Sequence, residues 1–170
     1  MRTCSTLLVA GSTLIELMVT LSALAILMSL ALTSFSFIDL IATRSELETL
    51  HAACRYTQIM AQVTNKVQEL TFDQQNMQYH FCGRTKKLAR SVVFGTKPGV
   101  KGPPSAPTES IYSPITFQKK CMRCTPQGII QPGTVYLSDS GKRCQYALSA
   151  PIAQVSCLRC YRHDGAWRLL

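Results

Sequence analysis

The feature that most constrains this chain is a run of 22 residues without a charged side chain, from Leu17 to Ile38. As an α-helix with a rise of about 1.5 Å per residue, the run spans about 33 Å, which matches the hydrocarbon core of a bilayer. We therefore predict a transmembrane helix at residues 12–38. A secretory signal peptide is the alternative, but the run is too long and no small-residue cleavage site closes it cleanly.

The helical pattern continues beyond the apolar run. No proline or glycine occurs between Ser12 and Phe81, and apolar residues recur at steps of three or four, which is typical of an amphipathic helix. The recurring residues are Leu47, Leu50, Cys54, Tyr56, Met60, Val63, Val67 and Leu70. We therefore predict that residues 39–70 continue the first segment as one long helix.

The remaining residues, 71–170, show the pattern of a β-rich globular domain. Short β-prone runs alternate with turn residues such as Pro132-Gly133 and Asp164-Gly165. The predicted strands are Leu70–Phe72, Met77–Phe81, Ser91–Phe94, Ile115–Gln118, Gly128–Ser138, Cys144–Ser149, Gln154–Arg162 and Ala166–Leu170. A stretch rich in proline, glycine and serine at residues 95–114 predicts a long exposed loop. A long N-terminal helix on a C-terminal antiparallel β-sheet is an α+β fold.

Charge is unevenly distributed along the chain. Residues 1–80 carry four Lys/Arg and six Asp/Glu, whereas residues 81–170 carry fourteen Lys/Arg and three Asp/Glu. The overall charged fraction of 16% is below the roughly 25% of an ordinary soluble domain, which argues against a disordered chain or a coiled coil. The basic half is either a solvated surface or a site for nucleic acid, anionic lipid or an acidic protein.

The residues just before the apolar run form the most specific motif, GSTLIELMV at residues 11–19. This motif resembles the processing site of type IV prepilins and type II secretion pseudopilins. In that family a peptidase cuts after a leader glycine, the new amine is methylated, and a glutamate stands at the fifth mature position. The resemblance implies a leader at residues 1–11, prepilin peptidase cleavage between Gly11 and Ser12, and N-methylation of Ser12, although the family usually has Phe at that position.

Glu16 takes the position of the conserved family glutamate, and an intramembrane carboxylate is costly enough to indicate a function. The resemblance implies an assembly role in which Glu16 meets the amine of Ser12 on its own or a neighbouring subunit. An interfacial glutamate that merely ends the apolar stretch is the alternative. The later segment Gly133–Gly141 resembles the minor pseudopilin H and FimT-like branch of the family.

The resemblance also implies a setting for the protein. We expect a pilin-like fold in a single-pass inner-membrane protein, with the C-terminal domain on the periplasmic side and incorporated into a pilus or pseudopilus. The expected partners are other pilin or pseudopilin subunits, the prepilin peptidase and inner-membrane lipid. We expect no cofactor, no bound metal and no enzymatic activity, because no catalytic or phosphate-binding motif occurs in the sequence.

Eight cysteines require a separate interpretation, and cleavage after Gly11 would remove Cys4. Two Cys-x-x-Cys pairs, at 121–124 and 157–160, fit either disulfides or a zinc site, and free thiols are a third reading. Disulfides are favoured outside the cytoplasm, with Cys54 as the unpaired residue. The candidates are Cys82, Cys121, Cys124, Cys144, Cys157 and Cys160. A tight hairpin at Ala150-Pro151 would place Cys144 opposite Cys157.

Two functions remain open at this point. The first is a structural subunit of a type II secretion pseudopilus or type IV pilus, and the second is a DNA-binding minor pilin for DNA uptake. The basic half favours DNA binding, because phosphate neutralisation needs several cations. The candidate DNA contacts are Lys142, Arg143, Arg159, Arg162 and Arg168. FimT-like members that bind DNA carry a Gly-Arg-x-Arg element, which Leu158–Arg162 lacks.

Overall fold

A computed structural model describes residues 14–102, 108–151 and 157–170, apart from the side chains of residues 30–37. The predicted leader, residues 1–11, and the cleavage site lie outside these residues. The described elements are helix α1 (Leu14–Thr64), a short 3-10 turn (Gln118–Lys120) and nine strands. The strands are β1 (Gln68–Asp73), β2 (Gln78–Phe81), β3 (Arg84–Lys87), β4 (Val92–Phe94), β5 (Cys121–Cys124), β6 (Gly133–Asp139), β7 (Gln145–Ala150), β8 (Arg159–Asp164) and β9 (Ala166–Leu169).

The chain divides into two compact units, one ending at Phe37 and the other extending from Ile38 to Leu170. The described part of the first unit is helical from Leu14 onward, as the absence of proline and glycine predicts. Among the residues that the structure describes, no helix carries an apolar stretch long enough to cross a membrane.

The second unit contains two antiparallel sheets rather than a single one. The first sheet has the strand order β3-β2-β1-β5, and the second has the order β4-β6-β7-β8-β9. The α+β class is therefore confirmed. Two strands, β3 and β5, were not predicted, because the Arg-Thr-Lys-Lys and Cys-Met-Arg-Cys sequences lack the alternation of a half-buried strand. The predicted strand Ile115–Gln118 is reduced to one bridge between Ile115 and Val135.

The helix predicted for residues 39–70 extends beyond the observed end of α1. Helix α1 ends at Thr64, because Asn65 adopts the left-handed conformation with φ of 50°. The N–H of Asn65 donates to Gln62 O at 3.3 Å, and the N–H of Lys66 donates to Ala61 O at 3.2 Å. These two bonds form a Schellman cap, in which asparagine takes the place usually held by glycine. Strand β1 then begins at Gln68.

The buried face of α1 follows the helical repeat more strictly than the predicted stripe. Leu47, Leu50 and Cys54 are fully buried, and the next buried positions are Thr57, Gln58 and Ala61. The predicted stripe instead continued through Tyr56, Val63 and Val67, and the latter two are 74% and 54% exposed. The prediction followed hydrophobicity at these positions, whereas a repeat of 3.6 residues keeps one face towards the core.

The core joins the two sheets through aromatic contacts and joins both sheets to α1. The Phe72 ring of β1 lies edge-on to Phe94 of β4 at 6.0 Å and stacks on Phe117 at 5.8 Å. Gln58 of α1 donates from Nε2 to the carbonyl of Gly128 at 2.7 Å, which attaches the helix to the turn between β5 and β6. These contacts place helix α1 over one hydrophobic core shared by both sheets.

The predicted loop at residues 95–114 is partly held against the second sheet. The backbone N–H of Lys97 donates to Gln145 Oε1 at 2.8 Å. Trp167 of β9 donates from its indole Nε1 to the carbonyl of Lys101 at 3.1 Å. The start of this segment is therefore anchored to β7 and β9, although Lys97 and Lys101 are themselves exposed.

Arg143 connects the start of the second unit's helix to the turn between β6 and β7. Its guanidinium Nη2 donates to Asp39 Oδ2 at 2.5 Å, and its Nε donates to Asp139 Oδ2 at 3.0 Å. Asp139 Oδ1 also accepts the backbone N–H groups of Arg143 and Cys144 at 2.7 and 2.8 Å. Burial raises the pKa of Asp139, but the hydrogen bonds from Cys144 and Arg143 outweigh it and lower this pKa below its usual range.

We expect Asp139→Ala to lower the free energy of unfolding by about 2 kcal/mol at pH 7, because two backbone N–H groups and one guanidinium lose their acceptor. The lowered pKa means that this stabilisation is present above the unfolded pKa of about 3.9 and is lost as pH falls through the folded pKa. Urea unfolding of both proteins at pH 7 and pH 3 measures the difference, which should shrink at pH 3.

The matched control is Asp164→Ala, which removes an exposed carboxylate 3.8 Å from Arg162. This surface substitution should change the free energy of unfolding by less than about 0.5 kcal/mol. Equal losses in the Asp139 and Asp164 variants would contradict the structural role of Asp139.

Candidate functional site

The predicted processing and assembly residues lie at the N-terminal end of the chain. Gly11 and Ser12 are outside the described residues. Glu16 lies in the first turn of the described helix and is exposed. A carboxylate in a first helical turn interacts favourably with the helix dipole, and its exposure leaves it accessible to a partner group. Its predicted pairing with the Ser12 amine remains a prediction.

The helical segment after Glu16 exposes apolar side chains in every direction. Leu14, Ile15, Leu17, Met18, Val19, Leu21, Leu24, Ile26, Leu27 and Met28 are 54–75% exposed. The hydroxyl groups in this segment donate back to helix carbonyls: Thr20 to Leu17 O at 2.9 Å, and Ser22 to Met18 O at 2.8 Å. Such bonds satisfy the polar groups without solvent, so the segment presents an almost entirely apolar surface.

One side of this segment forms a shallow groove between neighbouring turns of the helix. The residues that line it are Ile15, Met18, Val19, Ser22, Ala23 and Ile26. Their spacing of three and four residues places them on one face of the helix. Larger side chains flank the small pair Ser22 and Ala23, and small residues allow the backbone of a second helix to approach closely. We call these six residues the apolar seam.

The predicted DNA contacts lie in the β6–β7 turn and on the neighbouring strands β8 and β9. The β8–β9 register places Arg162 opposite Arg168, near the turn that carries Lys142. Arg159 lies on β8 three residues before Arg162, about 10 Å from it, and is paired in register with Ser149 of β7. Arg143 is engaged with Asp39 and Asp139, a structural role that the sequence did not reveal. DNA binding by these residues remains a prediction.

The two aspartates that hold Arg143 were missed as functional candidates. Asp139 precedes a Ser-Gly turn, and aspartate commonly accepts backbone hydrogen bonds at such a position. That local signal was present in the sequence. Asp39 lies 104 residues before Arg143, so only the tertiary fold brings the two together.

The predicted pairing of Cys144 with Cys157 is wrong. The β7–β8 register pairs Gln145 with His163 and Leu148 with Cys160. Cys144 therefore lies near the β8–β9 turn, whereas Cys157 precedes β8 at the opposite end of the strand. The prediction assumed a tight turn at Ala150-Pro151, but β7 ends at Ala150 and β8 begins only at Arg159.

All seven cysteines in the described part of the chain are free thiols: Cys54, Cys82, Cys121, Cys124, Cys144, Cys157 and Cys160. Within residues 14–102, 108–151 and 157–170, no three His, Cys, Asp or Glu side chains are arranged to hold a metal ion. The zinc reading of the two Cys-x-x-Cys pairs therefore finds no support there. Burial raises the pKa of Cys124 to about 12 and that of Cys160 to about 11, so both are protonated at neutral pH.

Comparison with known proteins yields one similar structure. No protein-family model matches the chain, and no curated protein sequence matches it. The fold is similar to that of the minor pseudopilin EpsH from the type 2 secretion system of Vibrio cholerae, with a TM-score of 0.47 and 12% sequence identity. The likeness covers 75% of this chain and 95% of that chain. At this identity the likeness concerns the fold alone.

Proposed function

We propose that this chain is a minor pilin or pseudopilin, a processed and non-enzymatic subunit of a type II secretion pseudopilus or a type IV pilus. In this proposal the first part of α1 assembles with the helices of neighbouring subunits, and the β-rich unit is carried on the filament. The processing motif at residues 11–19 supports the assignment, because cleavage would place Glu16 at the fifth position of the mature chain.

The observation that carries the proposal is the uncovered apolar surface of residues 14–28. Ten large apolar side chains there are more than half exposed. At roughly 1.5–3 kcal/mol for each large apolar side chain removed from water, this surface provides a strong driving force for association. A helix that is apolar all round is normally covered by protein or lipid. The apolar seam offers a face along which a second helix can pack.

We propose that the same segment is held in the inner membrane before assembly, with the β-rich unit on the periplasmic side. This part of the proposal rests on the sequence, in which residues 17–38 contain no charged side chain. The partners are then other pilin or pseudopilin subunits, the prepilin peptidase and inner-membrane lipid. The burial of the carboxylate of Glu16 in a helix assembly would require a cationic partner, and the new amine at Ser12 supplies one.

Processing is the first test of the proposal. Mass spectrometry of the membrane-extracted protein should show a chain that begins at methylated Ser12. Gly11→Val should leave an uncleaved precursor, because the peptidase must approach a backbone position without a side chain. A wild-type chain that retains Met1, or one cut within residues 20–38, would contradict the pilin assignment.

The second test concerns Glu16. Glu16→Ala should leave membrane association intact and reduce incorporation into the filament at least tenfold, because the N-terminal amine loses its partner. Glu48→Ala is the matched control, since it removes an exposed carboxylate of the same helix that pairs with Arg44 at 3.1 Å. Quantitative blotting of sheared filaments against membranes measures incorporation. Equal incorporation of the Glu16 and Glu48 variants would show that Glu16 has no role in assembly.

The third test concerns the apolar seam. Ser22→Trp places a bulky ring where the seam is narrow, so it should reduce incorporation by a similar factor. Leu24→Trp adds a ring of the same size on the opposite side of the helix and should incorporate at nearly the wild-type level. If the two variants assemble equally well, the seam is not the contact between helices.

A further inference from the structure

We propose that the outer edge of strand β9 binds an extended segment of a partner protein, which joins the second sheet as an additional antiparallel strand. The segment carries an acidic side chain two positions from a large apolar one. Strand β9 is the last strand in the order β4-β6-β7-β8-β9, so one of its edges faces no other strand of this sheet. This edge belongs to the β-rich unit and has no part in the proposed assembly of helices.

The sheet edges that the structure describes differ in how well they are protected from pairing with another chain. Strand β3 carries three cations in its four residues, and cationic side chains discourage such pairing. Strand β5 is covered, because the N–H of Gln131 donates to the carbonyl of Arg123 at 3.0 Å. Strand β4 has only three residues, of which two are buried. Strand β9, in contrast, contains no lysine or proline, and its Leu169 is 63% exposed.

The hydrogen-bond pattern identifies the backbone groups that β9 offers to a partner. The N–H of Leu170 donates to the carbonyl of Cys160 at 2.9 Å. In an antiparallel ladder such bonding positions alternate, so Arg168 also faces β8, whereas the N–H and C=O groups of Trp167 and Leu169 point away from it. Within the described residues no backbone group bonds to them. An added strand therefore finds two donors and two acceptors at positions about 7 Å apart.

The charge of β8 and β9 specifies one side chain of the added strand. Arg168 lies directly opposite Arg162 in the β8–β9 register, and like charges at such positions repel each other. Arg162 lies 3.8 Å from the carboxylate of Asp164, whereas Arg168 forms no ion pair with any carboxylate that the structure describes. A strand added to β9 places one side chain about 5 Å from Arg168 on the same face. An Asp or Glu at this position would supply the counter-charge.

A groove at the end of β9 specifies a second side chain. The groove has a volume of about 400 Å³ and lies between α1 and the end of β9. Leu158 and Leu170 line it, together with Arg44 and Glu48, which pair with each other at 3.1 Å. Leu170 and Arg168 are two residues apart and therefore lie on the same face of the sheet. A residue two positions from the partner's acidic side chain would reach this groove, where a large apolar side chain would be removed from water.

Main-chain bonds at a sheet edge provide affinity, and the pockets for alternate side chains provide specificity. The test therefore uses a fluorescent peptide with the sequence Thr-Leu-Val-Asp-Val-Leu-Thr and the full chain in mild detergent. Its aspartate would face Arg168, and its two valines would bond to the backbone of Trp167 and Leu169. One control peptide has lysine in place of aspartate, and a second has N-methylated valines, which cannot donate. Fluorescence anisotropy measures the binding of all three.

We expect the aspartate peptide to bind with a dissociation constant in the micromolar range. The lysine peptide should bind at least tenfold more weakly, because it adds a third cation beside Arg162 and Arg168. The N-methylated peptide should also bind at least tenfold more weakly, because it loses its donors to the sheet edge. Added salt should weaken the binding of the aspartate peptide, since the charges involved are exposed to solvent.

Variants of the protein separate the backbone contribution from the charge. Leu169→Pro removes an outward N–H, which proline can replace on an edge strand, and should weaken binding at least tenfold relative to Leu169→Ala, which keeps that N–H. Arg168→Glu should reverse the preference, so that the lysine peptide binds better than the aspartate peptide. Lys87→Glu, at an exposed position of β3, is the matched control and should change neither affinity.

Hydrogen exchange in the wild-type chain decides the question even if a variant does not fold. The aspartate peptide should slow exchange of the amides of Trp167 and Leu169, and should leave that of Arg168, which already faces β8, unchanged. Protection at Arg168 without protection at Trp167 and Leu169 would contradict strand addition at this edge.

Three further results would overturn the proposal. One is equal binding of the aspartate and lysine peptides. Another is a dimer in sedimentation, without peptide, that Leu169→Pro dissociates and Leu169→Ala does not, which would assign the edge to a second copy of this chain. The third is binding of a single-stranded DNA oligonucleotide that Arg168→Glu abolishes, with no binding of the aspartate peptide, which would assign the surface to nucleic acid.

Discussion

The packing of one face of helix α1 against both sheets is the interaction on which the second unit depends. Leu47, Leu50 and Cys54 are fully removed from solvent, and each large apolar side chain contributes about 1.5–3 kcal/mol when it is buried. The sheets contribute the opposite wall of this core, with Leu70 and Leu148 as fully buried members. A sheet that is apolar on one face needs a second layer to cover that face, and helix α1 supplies this layer for the domain.

Polar contacts then fix where the helix lies on this core. Apolar burial is not directional, so it stabilises the layer without selecting one register. Gln58 contacts the carbonyl of Gly128 near one end of the buried helix, and Arg143 contacts Asp39 near the other. The bonds to Asp139 hold Arg143 in place at the β6–β7 turn. These directional contacts select one position of α1 from the many that the apolar core alone would allow.

The first unit differs from the second, because within the described residues no other part of the chain covers its apolar side chains. Ten large side chains between Leu14 and Met28 remain exposed, and the hydroxyls of Thr20 and Ser22 are bonded to their own helix. The same helix therefore carries a surface for internal packing in its second part and a surface for association in its first. This division supports the proposed role as a filament subunit, in which folding and assembly use separate stretches of α1.

The sequence alone determined the features that depend on local chemistry. The absence of proline and glycine predicted the long helix, and the motif around Glu16 indicated the family resemblance. The β-prone runs predicted β1, β2, β4, β7 and β9 to within two residues, but the predicted starts of β6 and β8 were each five residues too early. The end of the helix was predicted too late, because Asn65 forms a cap that is usually made by glycine. The exposed Val63 shows that an apolar residue of the helix need not lie on its buried face. Local signals of this kind lie in neighbouring residues, so they can be read before the chain folds.

Only the tertiary structure decided which distant residues meet. Asp39 and Arg143 are 104 residues apart, and their contact gives Arg143 a structural role that the sequence did not reveal. The β7–β8 register, set by a connection longer than a tight turn, separates Cys144 from Cys157. Cys160 is partly buried and packs against the core. Register and long-range pairing depend on loop length and on the packing of several elements at once, and no local pattern in the sequence encodes them.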